Sequence, residues 1–417
     1  MRLGRLAWTV LAATGLALAS VSVADLTPQA VAQSTSQPVE AAAPATVPSP
    51  GPQIPAYRSA PVPQEIPVAL LVDLQSGQTL FAREADRRFV PASVTKVMTA
   101  YTAFRLIAQG EVSPTMPFLY PQRLEDEWYA EGSNMFLRAG ERPTIGQLLL
   151  GVTTVSGNDA SVALAEASVG SLEAWLELMN RNAEELGMAD THFGSANGYP
   201  DGGRTYTSAR DLVLLARAMT QDHPGLYRRY FGHRSLRWRD IAQANHDPVT
   251  GRVEGADGLK TGYTREAGFT FLGSAERDGR RLVMIIAGSP DRRMRDTASR
   301  DLLEWGFANF RTVRLAPASA TVGEAEIQNG SAGSVPLRLV EPLVLAIPRG
   351  GSAQDWHAEI VYRGPIQAPV EAGQPIARLR LFVSGHEALE VPLLAGQSVE
   401  QAGPLRRVAN ALTGLFT

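Results

Sequence analysis

Ser93 and Lys96 lie three residues apart at the start of an apolar-periodic segment, Pro91-Ala92-Ser93-Val94-Thr95-Lys96-Val97-Met98-Thr99. On a helix, positions three apart share a face, with Cβ atoms roughly 5–6 Å apart. The lysine amine then reaches the serine hydroxyl. If the amine is held neutral it can take the hydroxyl proton, so the pair can act as nucleophile and base without a histidine. A lone Ser-x-x-Lys is a weak signal, because such a pair on a helix is more often simply solvated.

Two further short elements raise it. Ser156-Gly157-Asn158 follows 63 residues after Ser93 (156 − 93), and Lys260-Thr261-Gly262 follows 104 residues after Ser156 (260 − 156). The first reads as a loop between helices and the second as the opening of a strand. Together with a serine and lysine at a helix start, they supply a nucleophile, two cations, a second hydroxyl and an amide. Other chemistries find less support. His192, His223, His233, His246, His357 and His386 are scattered, with no close pair to build a zinc site or a histidine triad. The chain has no cysteine, which excludes a thiol nucleophile, a thiolate metal site and disulfides. No metal and no cofactor is expected. Glu125, Asp126 and Glu127 read as a solvated acidic run, and Asp159 as a brace for the helix that follows it. Asp73 and Arg210 read as candidates for structural ion pairs.

The elements that must position these groups follow from periodicity. Val68 to Val72, a turn at Gln75-Ser76-Gly77, and Thr79 to Ala82 read as a β-hairpin. Phe89 to Gln109 reads as a helix with one buried stripe through Val94, Val97, Met98, Tyr101, Phe104 and Ala108. Its first turn carries Ser93 and Lys96, beside free N–H groups and the positive end of the helix dipole. Glu111 to Arg142 is polar and irregular. Helices are expected over Ile145 to Leu150, Ala160 to Ala167, Leu172 to Leu186 with Gly187 as cap, and Ser208 to Met219 with Ser208 as N-cap. A second hairpin spans Phe269 to Ala275 and Arg281 to Ala287, and Ala298 to Phe310 closes the region as a helix. Strands from both ends must share one sheet with helices on its faces, an α+β arrangement. After Arg311, short runs at Val335 to Leu339, Leu343 to Ile347, Ala358 to Tyr362, Ala377 to Val383 and Leu389 to Leu394 suggest a small all-β sandwich domain.

At 417 residues the chain is too long for one ordinary core, and its net charge of −3 gives no reason to expect nucleic acid as a partner. Arg2 and Arg5 precede an apolar run from Leu6 to Leu18, which reads as a signal peptide within residues 1–32, cut after Ala24 or Ala32. Residues 33–65 are rich in Pro and Ala and read as a linker. The divisions expected are residues 66–310 for the α+β domain, 311–400 for the β domain and 401–417 for an amphipathic helix. In that helix Leu405, Val408, Leu412 and Leu415 share a face while Arg406 and Arg407 lie off it, which suits a membrane-surface anchor.

The three segments, extended to Ser156-Gly157-Asn158-Asp159-Ala160 and Gly258-Leu259-Lys260-Thr261-Gly262-Tyr263-Thr264, closely resemble those of the low-molecular-mass penicillin-binding proteins that act as D-alanyl-D-alanine carboxypeptidases. The resemblance covers about Pro67 to Phe310 well and the remainder more loosely. It implies a serine β-lactamase/penicillin-binding-protein-like catalytic domain, an antiparallel sheet flanked by helices, and an exported enzyme at the periplasmic face of the inner membrane. It would trim the terminal D-alanine from peptidoglycan stem peptides and be trapped covalently by β-lactams. It further implies Ser93 as nucleophile, Lys96 as its base and Ser156 as proton relay to the leaving nitrogen. Asn158 would hold a substrate amide, and Lys260 and Thr261 the terminal carboxylate. Gly262 would allow close approach of the strand, and the backbone N–H groups of Ser93 and Tyr263 would form the oxyanion hole. Many relatives carry His where Tyr263 stands. A serine β-lactamase fits less well, because Gly157 occupies a position usually Asp and no Glu-x-x-x-Asn loop is evident. A DD-endopeptidase of the same fold and a poorly turning-over penicillin-binding scaffold are the other readings.

Overall fold

The computed structural model describes residues 60–349, 356–383 and 386–403, together with the backbone of Arg2–Leu6, which runs antiparallel along Trp356–Tyr362. The rest of the expected signal peptide, residues 33–59 of the linker, and residues 404–417 of the C-terminal helix lie outside the described residues. The chain divides into two compact units, one centred on residues 58–309 and one on residues from 310 onward.

The first unit is built on a five-stranded antiparallel sheet. Its strands are β1 (Val68–Asp73), β2 (Thr79–Arg83), β5 (Ala256–Thr264), β6 (Gly268–Arg277) and β7 (Arg280–Ser289), in the order β2-β1-β7-β6-β5. A short hairpin of β3 (Ser235–Trp238) and β4 (Ile241–Ala244) stands apart from it. Central strands β1 and β7 are apolar on both faces, as strands covered on both sides must be. Val68, Leu70, Val72, Val283, Ile285 and Ala287 join the main helical core, whereas Ala69, Leu71, Leu282, Met284 and Ile286 lie on the alternate face. The helix α8 (Arg292–Asn309) packs on β1, β6 and β7, and a Cβ on its Gly306 would press on Leu71 and Leu282 of that alternate face. The other helices are α1 (Lys96–Ala108), α2 (Gln122–Trp128), α3 (Ile145–Thr154), α4 (Asn158–Val169), α5 (Leu172–Glu185), α6 (Ala209–Gln221) and α7 (Pro224–Tyr230).

Several sequence expectations change here. Phe89 to Gln109 do not form one helix with one buried stripe. Ala92–Thr95 make a 3₁₀ turn and α1 begins at Lys96. Nearly every residue from Lys96 to Phe104 is buried, because polar positions that seemed to mark an outer face have internal partners. Thr99 Oγ1 donates to the Ala196 carbonyl at 2.5 Å, and Thr102 Oγ1 accepts from Asn182 at 2.9 Å. Lys260 sits inside β5 rather than at its start. The tail of the Pro-rich linker is not loose: Arg83 donates to the carbonyls of Val62, Pro63 and Ile66, groups such a segment leaves without a ladder partner. Ser208 caps α6 as expected, accepting from the Asp211 N–H, and Thr144 with Gln147 forms a capping box on α3. Asp73 and Arg210 are both ion-paired, to Arg280 and Asp86 respectively. Glu125 is not merely solvated, since it binds Arg138 and the Ala139 N–H.

The second unit is all β. The strands β8 (Phe310–Ala316), β9 (Thr321–Gln328), β10 (Ser334–Leu339), β11 (Leu343–Pro348), β12 (Trp356–Tyr362), β13 (Ile366–Gln367), β14 (Pro375–Val383) and β15 (His386–Ala395) form a large sheet in the order β12-β14-β15-β10-β9-β13 and a two-stranded sheet of β11 and β8. Alternate residues such as Val335, Leu337, Leu339, Leu379 and Leu381 meet Leu345 and Ile347 in one core. β8 and β9 are not marked as strands in the sequence, because few of their residues are large and apolar: Arg311, Arg314, Glu324 and Glu326 are exposed, and Phe310, Ala325 and Ile327 are the buried positions.

Candidate active site

A cleft of about 500 Å³ in the first unit is lined by Ser93, Ser156, Asn158, Thr261, Gly262 and Tyr263, with Lys96 and Lys260 buried beneath it. The three segments separated by 63 and 104 residues therefore converge on one site.

Local backbone explains how. Ala92 has φ +49° and Ser156 φ +62°, so a non-glycine residue in the left-handed region sits beside or at each serine. Such conformations cost about 1–3 kcal/mol each and persist where surrounding contacts impose them. Those contacts are tight. A Cβ on Gly262 would stand 2.5 Å from the Pro91 carbonyl oxygen, and one on Gly198 would stand 1.9 Å from that of Ala92. Gly198 also has φ +69°. The Ser93 turn is thus gripped between the edge strand β5 and the 197–203 loop, and only glycine fits at either contact. The sequence expectations name Gly262 but not Gly198, because nothing in Asn197-Gly198-Tyr199-Pro200 itself marks the close approach to Ala92.

Lys96 is 1% exposed. Its Nζ lies 2.8 Å from Asn158 Oδ1, 2.6 Å from the Asn197 carbonyl and 3.0 Å from Ser93 Oγ. The first two partners only accept, so they use two N–H groups. A neutral amine then has one lone pair left, and it faces the serine hydroxyl. Burial, and next the cation of Lys260, hold this amine well below the usual lysine range, with Asp159 opposing. Lys260 is itself pushed down to about 7, by burial and then by the Arg295 guanidinium, with Asp247 opposing. Its Nζ donates to the Thr261 carbonyl at 3.0 Å.

Asn158 opens α4 and is a hub. Its Oδ1 takes the Lys96 amine, and one Nδ2 hydrogen goes to the Glu131 carbonyl at 2.9 Å. The other Nδ2 hydrogen remains for a ligand. Among the described residues the Ser156 hydroxyl has no protein partner, so it too can turn to a ligand. Asp159 braces more than its own helix: it accepts from the N–H groups of Met135 and Leu137, at 2.9 and 3.0 Å, and fixes the 133–137 loop against the site. Burial pushes its carboxyl up, against those hydrogen bonds.

Sequence reading missed the cations at the other end. Arg292 and Arg295 at the start of α8, Arg265 after β5 and His246 before β5 all line the cleft. Arg295 is buried and donates to the Thr270 carbonyl and to Asp296. Burial, then Arg292, Lys260 and Arg295, lower the His246 pKa. Arg292 and Arg295 are brought to Lys260 by α8 crossing the sheet, Arg265 directly follows the strand that carries Lys260, and His246 comes from the segment before β5; nothing in their local sequence marks them. Tyr263 is 56% exposed and stacks on Phe269 with ring centroids 4.2 Å apart.

Residues 59–291 match the family model described as D-alanyl-D-alanine carboxypeptidase, and residues 310–401 match penicillin-binding protein 5, C-terminal domain. The D-alanyl-D-alanine carboxypeptidase DacD of Escherichia coli (strain K12) is 32% identical over 362 residues, 84% of this chain and 91% of that protein. The crystal structure of penicillin binding protein 5 from Haemophilus influenzae superposes with a TM-score of 0.73 at 30% identity, covering 81% of this chain and 99% of that one. Penicillin-binding protein D2 from Listeria monocytogenes, in its ampicillin-bound form, is similar with a TM-score of 0.53 at 26% identity, covering 58% of this chain and 97% of that one.

Proposed function

The chain belongs to the D-alanyl-D-alanine carboxypeptidase family of serine peptidases, and on that premise we propose how its own residues carry the reaction on peptidoglycan stem pentapeptides. The observation that carries the proposal is the Lys96 amine, 3.0 Å from Ser93 Oγ with two of its hydrogens already committed. Ser93 Oγ attacks the carbonyl carbon of the penultimate D-alanine while its proton passes to Lys96 Nζ. The negative charge that develops on the carbonyl oxygen is met by the backbone N–H groups of Ser93 and Tyr263, preorganised because the Ser93 turn is clamped. The C–N bond then breaks, and the proton on Lys96 passes through the Ser156 hydroxyl to the departing D-alanine nitrogen, which leaves Lys96 neutral. Water cleaves the resulting ester, Lys96 again serving as base, and Ser93 is restored.

Binding falls to the remaining groups. Lys260, Thr261 and Arg295 take the terminal carboxylate by charge-assisted hydrogen bonds. Asn158 donates to the carbonyl of the amide that precedes the penultimate D-alanine. A β-lactam enters the same sequence and stops at the acyl-enzyme on Ser93. No step requires a metal or an organic cofactor.

With a diacyl-lysyl-D-alanyl-D-alanine peptide, the purified protein is expected to release D-alanine and to be labelled stoichiometrically by penicillin. Ser93→Ala should do neither. Release by Ser93→Ala at the wild-type rate would sink the mechanism.

The proposal extends to location. Among the described residues no helix is long and apolar enough to cross a membrane. The amphipathic pattern of residues 404–417 would instead hold an exported enzyme on the periplasmic face of the inner membrane. Removing residues 404–417 is expected to move the protein from the membrane to the soluble periplasmic fraction, as followed by fractionation. Unchanged membrane association would count against the anchor.

A further inference from the structure

Glu131 occupies an unusual place for a surface carboxylate. Its carbonyl holds Asn158 Nδ2 at 2.9 Å, and the next two residues, Gly132 and Ser133, line the cleft. Its side chain accepts a hydrogen bond from the Tyr199 hydroxyl at 3.1 Å. Tyr199 also lines the cleft and is 41% exposed. The tyrosine is fixed rather than loose. Its ring meets Trp128 edge-on at 5.6 Å and 89°, and its N–H donates to Asn197 Oδ1 at 2.9 Å. Asn197 is the residue whose carbonyl holds the Lys96 amine.

Three of the acids around it have cations, whereas Asp126 and Glu127 on α2 have none among the described residues. Glu125 pairs with Arg138, Glu141 with Arg239 and Glu166 with Arg123. Glu131 pairs with none among the described residues. The cleft is therefore polarised along its length. Cations gather around Lys260 and Arg295, and at the other end the residue whose carbonyl holds Asn158 carries a carboxylate with no cation, hydrogen-bonded to the Tyr199 hydroxyl.

That combination suits one kind of group, a long aliphatic side chain ending in an ammonium. The methylenes can lie on the tyrosine ring, and the charge can meet the carboxylate and the ring face. The substrate presents such a group at a defined place. Asn158 takes the amide that joins the third stem residue to the penultimate D-alanine, so the side chain of that third residue departs next to Asn158. We propose that Glu131 and Tyr199 form a subsite for the free ω-ammonium of a diamino acid, lysine or diaminopimelate, at the third position of the stem peptide. The inference rests on the carboxypeptidase reading above and names the substrate feature that the same site selects. Uncrosslinked stems carry this ammonium, whereas an amide crosslink to the ω-nitrogen removes its charge. The subsite therefore directs the enzyme toward uncrosslinked stems.

The test compares pentapeptides that differ only at the third residue: lysine, N-ω-acetyl-lysine, diaminopimelate and its mono-N-ω-acetyl form. The readout is the ratio of kcat/KM for free over acetylated peptide, in wild type, Glu131→Gln and Tyr199→Phe, with penicillin labelling as a check that the site is intact. The wild type is expected to favour the free amine by about three- to five-fold, the size of an exposed ion pair. Glu131→Gln should bring the ratio to about one, and added salt should lower the wild-type ratio in the same direction. A preference seen with only one of the two diamino acids assigns the subsite to that one. A wild-type ratio near one, or a ratio unchanged in Glu131→Gln, overturns the subsite while leaving the carboxypeptidase reading in place. Release of D-alanine from none of the four peptides would overturn that reading, and the subsite with it.

Discussion

Lys96→Gln is expected to slow both D-alanine release and penicillin acylation by roughly 10²- to 10⁴-fold, the usual worth of a positioned general base. The glutamine amide can still donate to Asn158 and Asn197, so the fold should survive, and the loss would report the missing lone pair rather than a collapsed site. Lys96→Arg makes the contrast. A guanidinium cannot be deprotonated, and it would carry a full charge into a position that is 1% exposed and has no carboxylate within bonding distance among its hydrogen-bond partners. It should be inactive and also destabilised by about 3 kcal/mol or more, as measured by urea denaturation. The wild-type pH dependence follows from the same amine. Only the neutral form accepts the serine proton, so penicillin acylation should climb as pH rises through the lowered Lys96 pKa and level off below the usual lysine range. Stability follows the same group. The folded amine loses its proton at a lower pH than the unfolded one, so between those two values the unfolded chain binds more protons. The cost of burying Lys96 is full below that window and absent above it, and its contribution to stability therefore rises with pH across it. That component of the rise should vanish in Lys96→Gln.

Lys260→Gln should have the second largest effect, about 10²-fold in kcat/KM for the peptide, through a lost charge-assisted contact with the terminal carboxylate. It also carries a signature that simple loss of binding would not. The Lys260 cation is the second cause, after burial, of the lowered Lys96 pKa. Removing it should move the Lys96 pKa upward and carry the acid limb of penicillin acylation to higher pH. Arg295→Gln acts one step further back. Relieved of the guanidinium beside it, Lys260 should rise from about 7 and stay charged to higher pH. The two variants thus separate the charges by the direction in which each moves a limb of the pH profile. An unmoved acid limb in Lys260→Gln would mean that burial alone sets the Lys96 pKa.

What could be read from the sequence, and what could not, divides on how far information travels along the chain. Ser93, Lys96, Ser156, Asn158 and Lys260 were legible because each lies in a short motif whose neighbours share its task. The two hairpins of the sheet were legible because short apolar runs bounded by turn residues mark strands. The all-round burial of α1 was not, since Thr99 and Thr102 look like surface residues until Ala196 and Asn182, about eighty or more positions away, supply their partners. Arg295 was hidden because its relation to Lys260 exists only once α8 lies across β6 and β7, and His246 because it reaches the cleft from the irregular segment before β5. Gly198 looked like any turn glycine. Its need to be glycine comes from the carbonyl of Ala92, more than a hundred residues earlier.

Because α1 runs through the middle of the helical core, the catalytic amine is also a gauge of how dry that core is. Val97, Met98, Ala100 and Phe104 on the same helix are fully buried, so a cavity opened beside any of them that admitted water would give Lys96 part of the solvation that burial denies it. The amine would then protonate more readily, and the enzyme would lose rate at neutral pH while still folded. For this chain, core packing and turnover are not separate properties: a loosened interior would show first as a displaced pH profile and only later, with further damage, as unfolding.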